Sequence, residues 1–446
     1  MTTPSDPRAL LRSRAYIQLL VFAAILGVPV SAAAYGFLAL VSYLQKELFD
    51  HLPHGLGFAS APAWWPLPLL FAGGVLAALA IKYLPGNGGP SPAHGFAMHA
   101  PPTPPQLPGL VLAAMATLVF GIVLGPEMPL IALGGGLVLL VLWLTRRTVP
   151  DQARSVLAAS GSFAAISTLL GSPIVGAFLL MEASGLGGPM LGLVLLPGLL
   201  ASGIGSLIFV GLDSWTGLGT FSLAIPGLPH FSHPDIAQFG WALVIGVAAA
   251  LIGAGLRRLA LFLQPYAVRW VLLVTPLAGL VVGLFAILYA EVTGNSSNDV
   301  LFSGQSALPH LVQQSASYTV GALVLLMVCK GLAYGVSLSA FRGGPIFPAM
   351  FIGAAGGIAM SHLPGLPLVP AVAMGIGAMS AVMLTLPLTS VLLPSLLLAS
   401  DGLAVMPVVI VAVVVAYVVA ARIMPPPPAP ATAPAAAGRA ASASGA

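Results

Sequence analysis

The sequence predicts an all-α polytopic membrane protein with many tilted and broken helices. Three observations predict it. Of 446 residues, 58% are hydrophobic and only 6% charged, against about 25% charged in soluble globular chains. The apolar residues form continuous runs such as 110–123 and 408–421, unlike the alternating segments of about 10 residues in a membrane β-barrel. Fifty-two glycines and 41 prolines punctuate those runs. Open sheets are excluded because lipid cannot satisfy the polar groups at their edges.

In chain order, residues 1–13 read as a polar cytoplasmic lead and 14–48 as one long hydrophobic helix. The first apolar run continues well past the length of a secretory leader, so it reads as a span. Residues 49–66 form a loop in which Trp64-Trp65 reads as an interface anchor. A second span covers 67–84, and the Gly/Pro-rich stretch 86–92 opens a short helix. Five prolines in 101–108 mark a connection. From 109 the runs shorten: 109–123, 127–145, 153–170, 173–184 and 190–210. Many cannot cross a hydrocarbon layer of about 30 Å squarely, and half-helices end inside a membrane only where protein or a cavity receives them. A loop at 211–234 precedes two long segments, 235–263 and 270–290, and a polar loop to 305. Broken runs return at 305–313, 317–340, 346–360, 368–384, 387–399 and 404–424. The Pro/Ala-rich tail 425–446 reads as disordered and is too short for a regulatory domain.

The 11 acidic residues fall mostly in polar connections; Glu127 and Glu182 do not. A charge within hydrocarbon costs roughly 2.5–3.5 kcal/mol on insertion scales, so Glu127 needs a reason. It lies in Gly125-Pro126-Glu127-Met128-Pro129, where a helix begins, with Pro126 read as its first residue. Helix starts expose N–H groups and partial positive charge, which attract anions. Glu127 therefore reads as an anion mimic on an anion-binding helix end. The net charge of +4 comes from Arg8, Arg12 and Arg14, from Arg146, Arg147 and Arg154, and from Arg257 and Arg258 at segment ends. This pattern speaks for membrane topology with the N-terminus inside, not nucleic-acid binding. The single cysteine, Cys329, rules out an intrachain disulfide. His94, His99, His310 and His362 are scattered loop residues without metal-ligand spacing. No nucleotide-binding loop, catalytic triad or metal set is present, which disfavours an enzyme.

An internal repeat is visible. Gly125-x3-Pro129-x4-Gly134 matches Gly344-x3-Pro348-x4-Gly353 at an offset of 219, and Gly161-x11-Pro173 matches Gly375-x11-Pro387 at 214. Paired Gly/Pro-interrupted segments in corresponding halves, here about 67–210 and 270–424, mark the binding site of an inverted-repeat transporter.

Four segments in order carry a family resemblance. They are Gly86-Asn87-Gly88-Gly89-Pro90, Gly125-Pro126-Glu127-Met128-Pro129, the run from Gly171 to Glu182, and Gly343-Gly344-Pro345-Ile346-Phe347-Pro348 with its continuation to Gly353. Residues 14–424 thereby resemble the CLC family of chloride channels and chloride/proton antiporters. The resemblance implies an all-helical fold of two inverted halves, one pore per subunit and a homodimer. Helix ends would hold dehydrated chloride, with Asn87, Gly88, Gly125, Glu127, Met128, Gly344, Ile346 and Phe347 as anion-binding positions. Glu127 matches the gating glutamate. The family's internal proton-transfer glutamate falls ten residues after the proline of its segment, which is Ala183 here; Glu182 is the ninth. This favours a passive chloride channel, with a chloride/proton antiporter using Glu127 and Glu182 as the alternative. A polytopic transporter of an unrelated solute and a membrane-embedded enzyme are more distant readings. Asn87 stands where the family has a serine, Pro126 and Pro345 lack N–H groups, and Tyr417 comes too early for the family's pore tyrosine, which is expected at 425–428. No cofactor is implied. The partners are chloride or a similar small anion, protons on the antiporter reading, and the lipid bilayer, read as the plasma (inner) membrane of a prokaryote.

Overall fold

The computed structural model describes residues 11–185, 189–225, 227–398 and 401–424. Most of the polar lead, the Pro/Ala-rich tail and the region expected to carry a pore tyrosine lie outside the described residues. The chain folds into helices α1 (Arg14–Lys46), α2 (Pro66–Tyr83), α3 (Leu107–Leu118), α4 (Glu127–Leu144), α5 (Asp151–Ala165), α6 (Pro173–Ser184), α7 (Pro189–Thr216) and α8 (Ile236–Arg269). These are followed by α9 (Val271–Thr293), α10 (Ala307–Gln313), α11 (Val320–Ala340), α12 (Ile346–Met360), α13 (Leu368–Leu384), α14 (Pro387–Leu397) and α15 (Gly402–Ile423). Among the described residues, eight helical segments are long and apolar enough to cross a membrane. α12, α13 and α14 and the short α6 are apolar but shorter, as the broken runs predicted. Among the described residues the single β-type pairing is an isolated antiparallel bridge between Gly125 and Gly344.

The outer surface is apolar. Ile17, Ile25, Leu273 and Leu288 are about half exposed, which suits side chains bathed in lipid. Inside, small residues let helices touch. A Cβ on Gly279 would strike the Leu70 carbonyl, and one on Gly74 would strike Pro276, so α2 and α9 cross backbone to backbone. In hydrocarbon, where apolar burial drives little association, such close contacts supply the packing energy. The glycines of the two repeat motifs do the same work in matching places. Gly134 of α4 faces the Gly161 carbonyl of α5, and Gly353 of α12 faces the Gly375 carbonyl of α13. Pro173 and Pro387 each open the next short helix, α6 and α14.

Several boundaries differ from the sequence expectation. α8 runs to Arg269, so Arg257 and Arg258 lie within a helix and not at a segment end. The helix tolerates them because each guanidinium reaches a backbone carbonyl, His94 for Arg257 and Ile423 for Arg258. α7 extends to Thr216, six residues into the expected loop. Trp65 is buried and donates from Nε1 to the Leu48 carbonyl, while Trp64 is half exposed, so only the latter suits an interface anchor. His310 lies in α10 and His94 in a 3-10 turn, not in open loops.

Overpacking a tight crossing costs about 1–3 kcal/mol. Gly134→Leu and Gly353→Leu are therefore expected to lower thermal stability in detergent, each by about 3 kcal/mol. Gly36→Ala, where nothing lies within 4 Å of an added Cβ, should be neutral or slightly stabilising. Equal melting temperatures for all three variants would refute the crossings.

Candidate anion gate

α3 ends at Leu118 because the chain must turn. Gly121 takes φ +89°, a left-handed conformation that glycine adopts without a Cβ penalty. The following Ile122, Val123 and Leu124 are fully buried. Irregular backbone at membrane depth is stable only if its polar groups are paired inside the protein, and here they are. The Gly121 carbonyl accepts from Phe302 N–H at 2.9 Å, Gly125 N–H donates to Gly344 O at 2.8 Å, and Gly344 N–H returns to Gly125 O at 2.6 Å. The bridge sets the starts of α4 and α12 against each other.

Pro126 and Pro345 both take the N-cap position, and the helices begin at Glu127 and Ile346. Pro126 is thus not the first helical residue, as the sequence suggested. The bridge pins Gly125, and the helix starts one residue after the proline. Glu127 is 0% exposed. Its Oε1 accepts from Phe347 N–H at 2.9 Å. The Phe347 donor lies downstream of Pro345, so the missing N–H of that proline takes nothing from this contact. Oε2 has no partner. The carboxylate therefore sits at the start of α12, in the field of that helix.

Gly125 and Gly344 serve the site differently from expectation. Each commits its N–H to the other, so neither amide is free for an anion. Both lack a side chain because a Cβ at either would collide with the Glu127 carboxylate. Met128 lines a cavity of about 710 Å³ with Asn87, Gln106, His99 and Ser162. Pro126 lines one of about 280 Å³ with Gln45, Phe302 and Gln305. Glu127 thus lies in the chain between a residue that lines one cavity and a residue that lines the other. Asn87 is exposed at φ +51°, and Gly88 beside it is buried. The Asn87 carbonyl accepts from Arg342 Nε at 3.3 Å.

Glu182 is elsewhere and occupied. Its Oε1 accepts from Leu388 N–H, and its Oε2 from Thr389 N–H and hydroxyl, at 2.7–2.8 Å. It caps the start of α14 from the end of α6, a favourable place for a carboxylate.

Sequence reasoning passed over two groups here. Lys330, fully buried in α11, donates from Nζ to the carbonyls of Asp299, Val300 and Leu301 at 2.9–3.0 Å and to that of Phe302 at 3.4 Å. It also lies 4.4 Å from the centre of the Phe351 ring of α12, a favourable cation–π placement. Lys330 thus fixes the loop that lines the smaller cavity. A lysine inside an apolar run was the available signal. Tyr334, also fully buried, donates to the Pro345 carbonyl at 2.8 Å and holds the cap of α12.

An all-helical membrane fold with a buried carboxylate on a facing helix start defines a class of anion-transporting proteins. The family model described as voltage gated chloride channel matches residues 73–421, and the chain belongs to that family. It is 30% identical over 362 residues to a protein of Salmonella choleraesuis (strain SC-B67) named for ion transport, YfeO, covering 77% of this chain and 80% of that one. The same identity and coverage hold for the YfeO protein of Salmonella newport (strain SL254). Its fold is similar to that of a slow cyanobacterial Cl⁻/H⁺ antiporter, with TM-score 0.72 and 20% identity over 91% of this chain and 94% of that one. A CLC-type fluoride/proton antiporter gives 0.66 and 19% over 92% and 96%.

Two outcomes follow from the site. Gly344→Ala should expel the carboxylate and leave anion efflux from proteoliposomes faster at neutral pH and less pH-dependent; wild-type behaviour would contradict the contact. Lys330→Met strands the buried carbonyls and should cost about 3 kcal/mol, read as a lower melting temperature in detergent.

Proposed function

We propose that the protein is a passive chloride channel gated by protonation and movement of Glu127. The observation that carries this reading is the fully buried carboxylate held on the Phe347 amide at the start of α12. Ionised, it imitates the permeant anion and closes the path. Protonated, it loses its charge and its charge-assisted bond, and chloride takes the Ile346 and Phe347 amides in its place. Helix-end binding without a full positive charge stays weak enough for release. Passive flux is supported by Glu182, whose oxygens are taken up by the α14 cap, and by Ala183 at the position of the family's inner proton acceptor.

Chloride/proton exchange is the second reading. It is favoured by the two solved relatives described as antiporters. It requires an inner proton acceptor, and His99 in the larger cavity offers one. The protein works as a homodimer in the plasma membrane of a prokaryote on either reading. An inside N-terminus is supported by the helix ends. Arg14, Lys82, Arg269 and Arg422 mark the start of α1 and the ends of α2, α8 and α15. Glu47, Asp235 and Glu291 mark opposite ends, as the distribution of Lys and Arg across membranes requires.

Anion efflux from proteoliposomes tests both readings. Wild-type flux should rise as pH falls, because acid neutralises the carboxylate, and Glu127→Gln should be fast and pH-insensitive. Pumping of protons uphill by an imposed chloride gradient would overturn the channel in favour of exchange. An unchanged pH dependence in Glu127→Gln would remove the gating role.

A further inference from the structure

Arg342 stands just before the start of α12. Its Nε donates to the Asn87 carbonyl at 3.3 Å and its Nη1 to the Phe341 carbonyl at 3.2 Å, while its backbone N–H donates to the Thr117 hydroxyl at 3.4 Å. It joins the two segments that the family resemblance singles out, the loop at 86–90 and the segment opening α12. The contacts of its guanidinium are with carbonyls, which orient it without neutralising it. Among the described residues the ion pairs are His51–Glu47 and His230–Asp401, so Arg342 has no carboxylate partner.

The guanidinium lines a cavity of about 660 Å³ together with Lys82, Arg269 and Asn87, and no acidic residue lines it. Lys82 and Arg269 lie beside the faces of Tyr83 and Trp270, at 5.4 and 5.6 Å from the ring centres. Three cations with no counter-charge in one concavity focus a positive potential and raise the local concentration of anions. Asn87 lines both this cavity and the larger one that reaches Met128, so the cations are one loop away from the gate.

We infer that Arg342, with Lys82 and Arg269, forms an anion-binding basin that gathers small inorganic anions and delivers them past Asn87 to the path closed by Glu127. The delivery step rests on the transport reading given above; the binding step does not. A full charge at the narrow point would trap an anion, but in an open basin water and salt screen it, and capture stays reversible. Asn87 takes the place of a serine in the family pattern, and Arg342 supplies charge where that hydroxyl is missing.

The full chain purified in detergent and crystallised with bromide gives the direct test. Anomalous density is expected within hydrogen-bonding reach of the Arg342 guanidinium, lost in Arg342→Gln and kept in Arg342→Lys. Absence of that density in the wild type, or its persistence in Arg342→Gln, overturns the basin. In proteoliposomes at low ionic strength, Arg342→Gln should raise the half-saturating chloride concentration about tenfold. The maximal rate should hold near wild type, Arg342→Lys should restore affinity, and added inert salt should shrink the difference. A fall in maximal rate alone, not rescued by lysine, would make Arg342 a structural joint only and overturn the inference. Wild-type protein that carries no anion refutes the transport reading, while the bromide density still decides the basin.

Discussion

The bond from Phe347 N–H to the Glu127 carboxylate is the interaction around which the rest is arranged. It links residues 220 positions apart, one from each repeat motif. It exists because two helices begin at the same place inside the protein. Everything near it serves that coincidence: the Gly125–Gly344 bridge aligns the starts, the missing side chains leave room for the carboxylate, and Tyr334 and Lys330 brace α12 and the loop beside it. A buried carboxylate without such a setting would be a heavy liability in hydrocarbon. Here the helix end replaces water as its solvent, as it would for a dehydrated anion.

Much of this was legible in the sequence. Composition and broken apolar runs gave the helical membrane fold, since lipid leaves few alternatives. Glu127 stood out because a charge in an apolar run is conspicuous. The glycines of the two motifs were visible as spacing, and their reason became clear only in three dimensions, where Gly134 meets Gly161 and Gly353 meets Gly375. Other features were hidden for physical reasons. The partner of Glu182 is the start of α14, more than 200 positions away, and no local pattern announces a long-range cap. Lys330 is as conspicuous as Glu127, but its partners are the carbonyls of a loop about 30 positions away, which no local pattern announces. The prolines were read as losses of N–H groups, but a proline at an N-cap removes no donor from the first helical turn.

The two glutamates show how one chemical group takes different parts. Each accepts backbone N–H groups at the start of a helix from the other half of the chain. Glu182 has both oxygens engaged and a threonine hydroxyl besides, which makes it a fastening. Glu127 has one oxygen engaged and the other unpartnered, which suits the part of gate proposed for it. The number of bonds on the carboxylate separates a cap from a gate more clearly than the helix end it occupies.

The bridge between Gly125 and Gly344 also bears on time. Pulling the two helix starts apart would break a reciprocal pair of backbone hydrogen bonds between two buried residues. The bridge therefore holds the backbone frame together, and the moving part in the proposed gate is a single side chain turning about its own torsions. Such rotations take picoseconds to nanoseconds in accessible settings, whereas rocking of whole domains takes microseconds to milliseconds. On the proposed gating, opening is paced by the arrival of a proton and by the space available to the side chain.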